Sequence, residues 1–116
     1  MMTGAMLGLM QQLGMDIIVL TEEISDREFY ASRLTRSETL RLLKSMSKTA
    51  NSLPLETREC LHEIDWPAWH VLAKVIDSPV KHPLQIWVAV KELIPVTVRQ
   101  LNGYKKARPD LFSIVP

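Results

Sequence analysis

The chain of 116 residues fits one domain with a single core, because at this length folding buries roughly two thirds of the unfolded surface. Hydrophobic residues make up 47% and charged residues 23%, a balance that argues against an intrinsically disordered chain. The formal net charge is +1, so nucleic-acid binding would need a local basic patch and could not depend on the charge of the whole molecule.

Cys60 is the only cysteine, which excludes an internal disulfide and a metal site built from several cysteines. The N-terminal stretch is apolar, but it has no cationic leader, and Gln11, Gln12 and Asp16 interrupt it before membrane-spanning length. We therefore predict a cytoplasmic protein that has no signal peptide, transmembrane helix, metal or other cofactor and does not act at a membrane.

The first predicted helix covers residues 4–23. Apolar residues recur there at steps of three and four, which places on one stripe Met6, Leu9, Leu13, Ile17 and Leu20. Four further apolar residues lie off that stripe: Leu7, Met15, Ile18 and Val19. A deeply buried helix and a dimer interface both account for so much apolar surface, and Gly8 and Gly14 would let another helix approach closely.

Two helix starts are marked by the capping-box pattern, in which a hydroxyl residue is followed three residues later by glutamate: Ser25 with Glu28, and Thr35 with Glu38. The first pair predicts a short helical turn over residues 26–32. The second predicts a helix over residues 36–51, and Pro54 follows closely and cannot continue that helix.

Three further helices are predicted, over residues 55–62, 67–77 and 84–102. Pro67 suits a first turn because its missing amide proton is not needed there. Gly103 is a natural stop for the last helix, and Pro95 should kink it. These elements predict an all-α bundle of four main helices plus short helical turns. The predicted domain covers residues 1–103, and the tail over residues 104–116 is expected to be extended or to reach a partner.

An ordered set of short motifs runs from Ile24 to Leu101. In chain order it comprises Asp26-Arg27-Glu28-Phe29, Arg33-Leu34-Thr35, Thr39-Leu40-Arg41, Leu53-Pro54, Arg58-Glu59, Glu63-Ile64-Asp65-Trp66, Ile86-Trp87, Val90-Lys91-Glu92 and Pro95. This order resembles the HEPN superfamily, specifically the small HepT-like proteins that pair with minimal nucleotidyltransferases and include toxin ribonucleases. The resemblance implies an HEPN-like helical fold and a homodimer.

The resemblance also implies where ribonuclease chemistry would lie. In the family, the helix after the tryptophan that matches Trp66 carries an Arg-Asn pair, followed one turn later by a histidine and then a tyrosine. Two such helices meet at the dimer interface, where the arginine can hold the scissile phosphate while the histidine transfers a proton.

This sequence departs from that motif. Counting from Trp66, the positions of the Arg-Asn pair and the histidine are occupied by Ala73, Lys74 and Ser78. Counting back from Trp87 instead puts Ile76 at the histidine position, and neither register supplies the tyrosine. Alanine cannot contact a phosphate through its side chain, and neither serine nor isoleucine can shuttle a proton at neutral pH.

Neighbouring residues could replace the missing groups. Lys74 offers a cation, although as a point charge and not as a bidentate fork, and groups for proton transfer are His70, Asp77 and His82. Structural roles compete with these catalytic ones. His70 would be a partly buried packing or capping residue, and His82 a solvated loop residue.

Basic residues are weak candidates for binding RNA or phosphate. Arg41, Lys44 and Lys48 follow one another at helical spacing, and Lys81 lies beside His82. A solvated helix face opposite the core is the competing explanation for the stripe. The tryptophans could stack on bases, but we predict that they pack in the core: Trp66, Trp69 and Trp87.

We therefore expect a catalytically degenerate HEPN/HepT-like protein that acts by binding. It would work as a homodimer or as the partner subunit of a nucleotidyltransferase-like protein in a toxin–antitoxin or defence-related pair, with RNA a weaker candidate partner. The alternative is an active HepT-like toxin ribonuclease with an altered active site, in which the usual set is replaced by Lys74, Asp77 and His70 or His82.

Overall fold

The chain folds into α-helices, and no β-strand occurs in the part that the computed structural model describes, residues 3–112. The α-helices are α1 (Thr3–Thr21), α2 (Asp26–Ala31), α3 (Arg33–Ser52), α4 (Leu55–Cys60), α5 (Trp66–Val75), α6 (Pro83–Val88) and α7 (Ile94–Ala107). Short 3₁₀ turns lie at Pro79–Lys81 and Pro109–Phe112, and a π-helical turn at Ala89–Leu93 joins α6 to α7.

Four segments form the bundle: α1, α3, α5 and the continuous segment from α6 to α7. Helix α1 packs against α3 and α7, and α3 also packs against α5. The prediction of an all-α bundle with four main helices and short helical turns is therefore confirmed.

Helix α1 lies in the core, and its inward side matches the predicted stripe only in part, because Leu13 and Ile17 are buried as predicted. Its fully buried apolar side chains are Leu7, Met10 and Ile17. Leu9, which the predicted stripe places inside, is exposed. Gly14 also lies on the inward side, where its lack of a side chain lets α3 and α7 come close.

Gly14 marks the closest approach of α1 to its neighbours. A Cβ atom added there would overlap the Cγ2 atom of Val98 on α7 and lie 3.1 Å from the Cε atom of Met46 on α3. The predicted close helix approach at Gly14 thus occurs within the chain. No atom would come within 4 Å of a Cβ added at Gly8.

Length and composition alone would allow α1 to cross a membrane, since one 18-residue window has a mean hydropathy of 1.3. The core helix of a globular protein meets the same criteria. Here the inward side of α1 packs between α3 and α7.

Serine side chains mark the starts of α2 and α3. Ser25 accepts a hydrogen bond from the Glu28 amide at 3.2 Å, and the Glu28 carboxylate accepts one from the Ser25 amide at 3.1 Å. This capping box is confirmed. The second predicted start is wrong, because Ser32 accepts from the Thr35 amide at 3.3 Å, and α3 therefore begins at Arg33.

The final helical segment is distorted just before Pro95. In a regular helix the amide of residue 95 would donate to the carbonyl of Lys91, but proline has no amide proton. The chain widens into the π-helical turn Ala89–Leu93 immediately before this position. The distortion predicted at Pro95 therefore occurs as a π-helical turn.

The predicted helix end at Gly103 is wrong, because α7 continues to Ala107. Gly103 does not adopt a positive φ, the conformation through which glycine ends a helix. Residues 104–107 continue α7 and residues 109–112 form a 3₁₀ turn, so this stretch is not extended, and Leu111 and Phe112 pack against the core. Residues 113–116 of the predicted tail lie outside the described residues.

Candidate functional site

Helix α5 is the segment on which the sequence analysis locates the candidate chemistry. Asp65 begins it by accepting a hydrogen bond from the Ala68 amide at 3.0 Å, and Pro67 occupies the first turn. The helix ends at Val75, two residues before the predicted end, and its buried side chains are Trp69, Leu72 and Val75.

Two hydrogen bonds between α5 and neighbouring helices fix the rotation of α5 about its own axis. The indole N–H of Trp69 donates to the hydroxyl of Thr97 on α7 at 3.2 Å. The side-chain amide of Asn51 on α3 donates to the Trp69 carbonyl at 3.2 Å. Because Trp69 points inward, its neighbour His70 must point outward.

The candidate catalytic residues lie at the surface of α5 and the following turn. His70, Lys74 and Asp77 are exposed, whereas Ala73, Ser78 and His82 are half-buried. The packing role predicted for His70 is therefore wrong. His82 is less solvated than predicted, because it is half-buried, and its amide donates to the Pro79 carbonyl at 3.1 Å.

These candidate groups are not joined into a catalytic set. Within residues 3–112, no ion pair or side-chain hydrogen bond links Lys74, Asp77 or either neighbouring histidine. The same range contains no group of three His, Cys, Asp or Glu side chains that could hold a metal ion. A base must reach its proton donor directly or through one water, so the arrangement offers exposed single groups and no preassembled relay.

The predicted basic stripe lies on the exposed face of α3. Arg41, Lys44 and Lys48 are all exposed, but the Nε atom of Arg41 donates to the Glu38 carboxylate at 2.7 Å. This ion pair lowers the positive charge of the stripe. Lys81 is exposed at the end of the 3₁₀ turn before α6 and so belongs to a different segment. RNA binding by these residues stays a prediction.

The tryptophans pack as predicted and do not form an open stacking surface. Trp69 is fully buried, and Trp66 is half-buried, with its indole N–H donating to the carbonyls of Arg58 at 3.0 Å and Leu61 at 3.1 Å. Trp87 is also half-buried and packs against the core.

An open apolar groove, here named the α5–α6 groove, separates α5 from the segment that begins with α6. Its volume is about 410 Å³, and it is lined by Ala68, Val71, Leu72, Val75, Leu84, Gln85, Val88, Ala89 and Leu93. Three branched side chains in it are substantially exposed: Val71 at 53%, Leu84 at 71% and Val88 at 42%. Sequence reasoning missed this surface, although Leu84 and Val88 stand one helical turn apart.

A second cavity, here named the Tyr30–Arg36 pocket, lies between α2, α3 and the start of α6. Its volume is about 270 Å³, and its lining residues are Phe29, Tyr30, Arg36, Leu40, Pro79, Val80, Pro83 and Ile86. Arg36 donates from Nη1 to the Tyr30 carbonyl, and the Tyr30 hydroxyl donates to the Pro83 carbonyl. Burial raises the pKa of the Tyr30 hydroxyl above its ordinary value, and the Asp26 carboxylate raises it further.

The Tyr30–Arg36 pocket is not predictable from local sequence patterns, because its residues come from three separated stretches of the chain.

Comparison of the chain with protein-family models, curated proteins and solved structures gives no match. The resemblance to the HEPN superfamily therefore stays a prediction.

Proposed function

We propose that the protein is a catalytically inactive, HEPN/HepT-like binding subunit. It forms a homodimer, or pairs with a nucleotidyltransferase-like protein, in a toxin–antitoxin or defence-related system of the cytoplasm. The observation that supports this proposal most is the α5–α6 groove, because it places an exposed apolar surface on the helix where the resembled family carries its ribonuclease residues.

The chemistry of the groove favours a protein partner. Gln85 is the only polar side chain among its lining residues, so water gains few hydrogen bonds there. Burying a valine or leucine side chain that is now exposed contributes up to about 1.5–3 kcal/mol. The buried centres of protein interfaces are similarly apolar and poor in charge.

A second copy of the chain is the simplest partner for this groove. In a twofold dimer the same patch of both subunits meets itself, and an apolar patch is complementary to its own copy. No charged side chain lines the groove, so like charges would not meet inside it when two copies pair.

The absence of a preassembled catalytic set supports the inactive half of the proposal. Lys74 is a flexible point charge, while its neighbour Ala73 has no polar side chain. Neither His70 nor His82 is oriented by a carboxylate in the part of the chain that the structure describes. Nucleophile activation normally requires a base that a third group holds in place.

Light scattering after gel filtration tests the dimer. Wild-type protein should elute with twice the mass of one chain, and Val88→Glu should elute as a monomer because a charge would be buried at the interface. Val96→Glu is a matched control, since Val96 is 40% exposed on α7, close to the 42% of Val88, but does not line the groove. Wild-type monomers at micromolar concentration, or equal effects of the two substitutions, would count against a dimer through this groove.

Incubation with transfer RNA and messenger RNA tests the absence of activity. The wild type should cleave neither, and a triple variant should behave identically: His70→Ala, Lys74→Ala and His82→Ala. Cleavage by the wild type that the triple variant loses would establish the alternative, an altered active ribonuclease that uses these surface groups. If the wild type cleaves neither RNA, the dimer measurement decides whether the protein has the proposed binding role.

A further inference from the structure

The Tyr30–Arg36 pocket combines an apolar interior with one cationic side chain. Phe29 and Ile86, two of its lining residues, are buried, and prolines and aliphatic side chains supply most of the remaining wall. At about 270 Å³ the pocket is slightly smaller than typical sites for drug-sized ligands, which leaves room for a single ring.

Arg36 is held in a defined orientation at this pocket. Its Nη1 group donates to the Tyr30 carbonyl, which anchors one side of the guanidinium. The opposite edge, formed by the Nε–H and one Nη2–H, makes no hydrogen bond within residues 3–112. Two parallel donors on one edge match the two oxygens of a carboxylate.

Arg36 also lacks a carboxylate partner among the described residues, whose ion pairs are Arg41 with Glu38 and Arg108 with Asp110. The Nε and Nη2 atoms of its free edge are not among the buried polar atoms that lack a partner, so a ligand can reach them. The geometry therefore leaves an accessible pair of donors at which a negative group can bind.

We propose that this pocket binds a small amphipathic carboxylic acid. The apolar ring or branched chain of the ligand lies against Leu40, Val80 and Pro83, and its carboxylate accepts two hydrogen bonds from the free edge of Arg36. This site is independent of the proposed subunit function, because the Tyr30–Arg36 pocket and the α5–α6 groove share no lining residue.

Two neighbouring groups restrict where the carboxylate can lie. The Tyr30 hydroxyl already donates to the Pro83 carbonyl, so it is not available as a further donor to the ligand. Asp26 is close enough to Tyr30 for its charge to act on that hydroxyl, and it would repel an anion. The ligand carboxylate is therefore expected at Arg36, away from Asp26.

Titration with 3-phenylpropanoate, followed by NMR of side-chain methyl groups, tests the proposal. The methyl signals of Leu40, Val80 and Ile86 should shift and saturate, while those of the distant core residues Leu61 and Leu101 should not. The uncharged analogue 3-phenylpropanamide should bind about ten-fold more weakly, because it loses the charge-assisted pair of hydrogen bonds. Equal affinity for acid and amide, or no saturation at millimolar concentration, would overturn the proposal.

Two substitutions separate ligand recognition from folding. Arg36→Gln should reduce the affinity for the acid to that for the amide and leave the amide affinity unchanged. Arg36→Lys keeps the positive charge but loses the paired donors, so it should bind the acid more weakly than the wild type and more strongly than Arg36→Gln. If Arg36→Gln does not fold, equal affinity of the wild type for acid and amide would still overturn the proposed anion site. Neither substitution should alter the mass measured for the subunit assembly.

Discussion

The indole N–H of Trp69 donates a hydrogen bond of 3.2 Å to the hydroxyl of Thr97, and both side chains lie completely inside the core. This bond joins α5 to α7. It satisfies the only polar group of the largest fully buried side chain in the described part of the protein. A buried donor that loses its acceptor cannot turn to water instead.

The Trp69–Thr97 bond predicts a large effect for a nearly isosteric change. Thr97→Val keeps the shape of the side chain but leaves the indole N–H without an acceptor, so the free energy of unfolding should fall by about 1–3 kcal/mol. Thr49→Val is the control, because the Thr49 hydroxyl is only half-buried and donates within its own helix to the Ser45 carbonyl at 2.9 Å. Urea unfolding measures the free energy of unfolding of both variants. Equal losses would mean that the buried Trp69–Thr97 bond contributes no more to stability than the half-buried bond of Thr49.

The glycines of α1 predict opposite responses to the same substitution. Gly14→Ala should destabilise the protein by about 1–3 kcal/mol, because the new methyl group overlaps Val98, a branched side chain with little freedom in a helix. Gly8→Ala should stabilise it by up to about 1 kcal/mol, since alanine favours the helix and meets no atom within 4 Å. Thermal unfolding followed by circular dichroism compares them. Shifts in the same direction would contradict the close packing of α1 at Gly14.

Lys91 is expected to stabilise the end of α1. Its ammonium donates to the carbonyl of Thr21, the last residue of that helix, and lies 5.0 Å from the centre of the Trp87 ring. A cation interacts favourably with the carbonyl groups at a helix C-terminus and with the face of an aromatic ring. Lys91→Met removes both interactions and should lower the free energy of unfolding by about 1 kcal/mol. Lys44→Met, at an exposed position of α3, should change it much less.

Salt provides a second readout for Lys91. Screening weakens the interaction of a charge with a helix end, so the difference between wild type and Lys91→Met should shrink when the salt concentration rises. A difference that does not depend on salt would assign the effect to lost apolar packing of the lysine stem and not to its charge.

Local signals in the sequence predict the helices well, and the errors have physical causes. The start of α2 is predictable because Ser25 and Glu28 complete a box within four residues of chain. The predicted start of α3 is wrong because Ser32, its actual cap, is followed three residues later by Thr35 and not by glutamate. The end of α7 depends on a distant contact, in which the Tyr104 hydroxyl accepts from the Glu63 amide at 3.1 Å.

The surfaces with the clearest functional interest were less predictable than the helices. The α5–α6 groove requires knowledge of how α5 is rotated, and that rotation depends on Trp69 meeting Thr97 across 28 residues of sequence. The Tyr30–Arg36 pocket likewise requires α2, α3 and α6 to converge. Periodicity within one segment identifies its inward side, but it does not say which outward residues of separate segments become neighbours.

Tyr30 predicts a defined loss of stability at high pH. Burial, followed by the charge of Asp26, raises the pKa of its hydroxyl in the folded protein above the ordinary value of 10.0. The contribution of the neutral hydroxyl to stability is therefore complete below pH 10 and is lost as the pH rises through the folded-state pKa, because the unfolded chain ionises first. Tyr30→Phe should be less stable than wild type at neutral pH, since it lacks the hydrogen bond to Pro83.

The stability difference between wild type and Tyr30→Phe should consequently narrow above pH 10. Denaturant unfolding of both proteins at several pH values measures it, and ionisation of lysines and of Tyr104 cancels because both proteins contain them. Tyr30 ionisation followed by the ultraviolet difference spectrum of the two proteins gives the folded-state pKa independently. A stability difference that stays constant across this range would mean that the hydroxyl is as well solvated in the folded protein as in the unfolded chain.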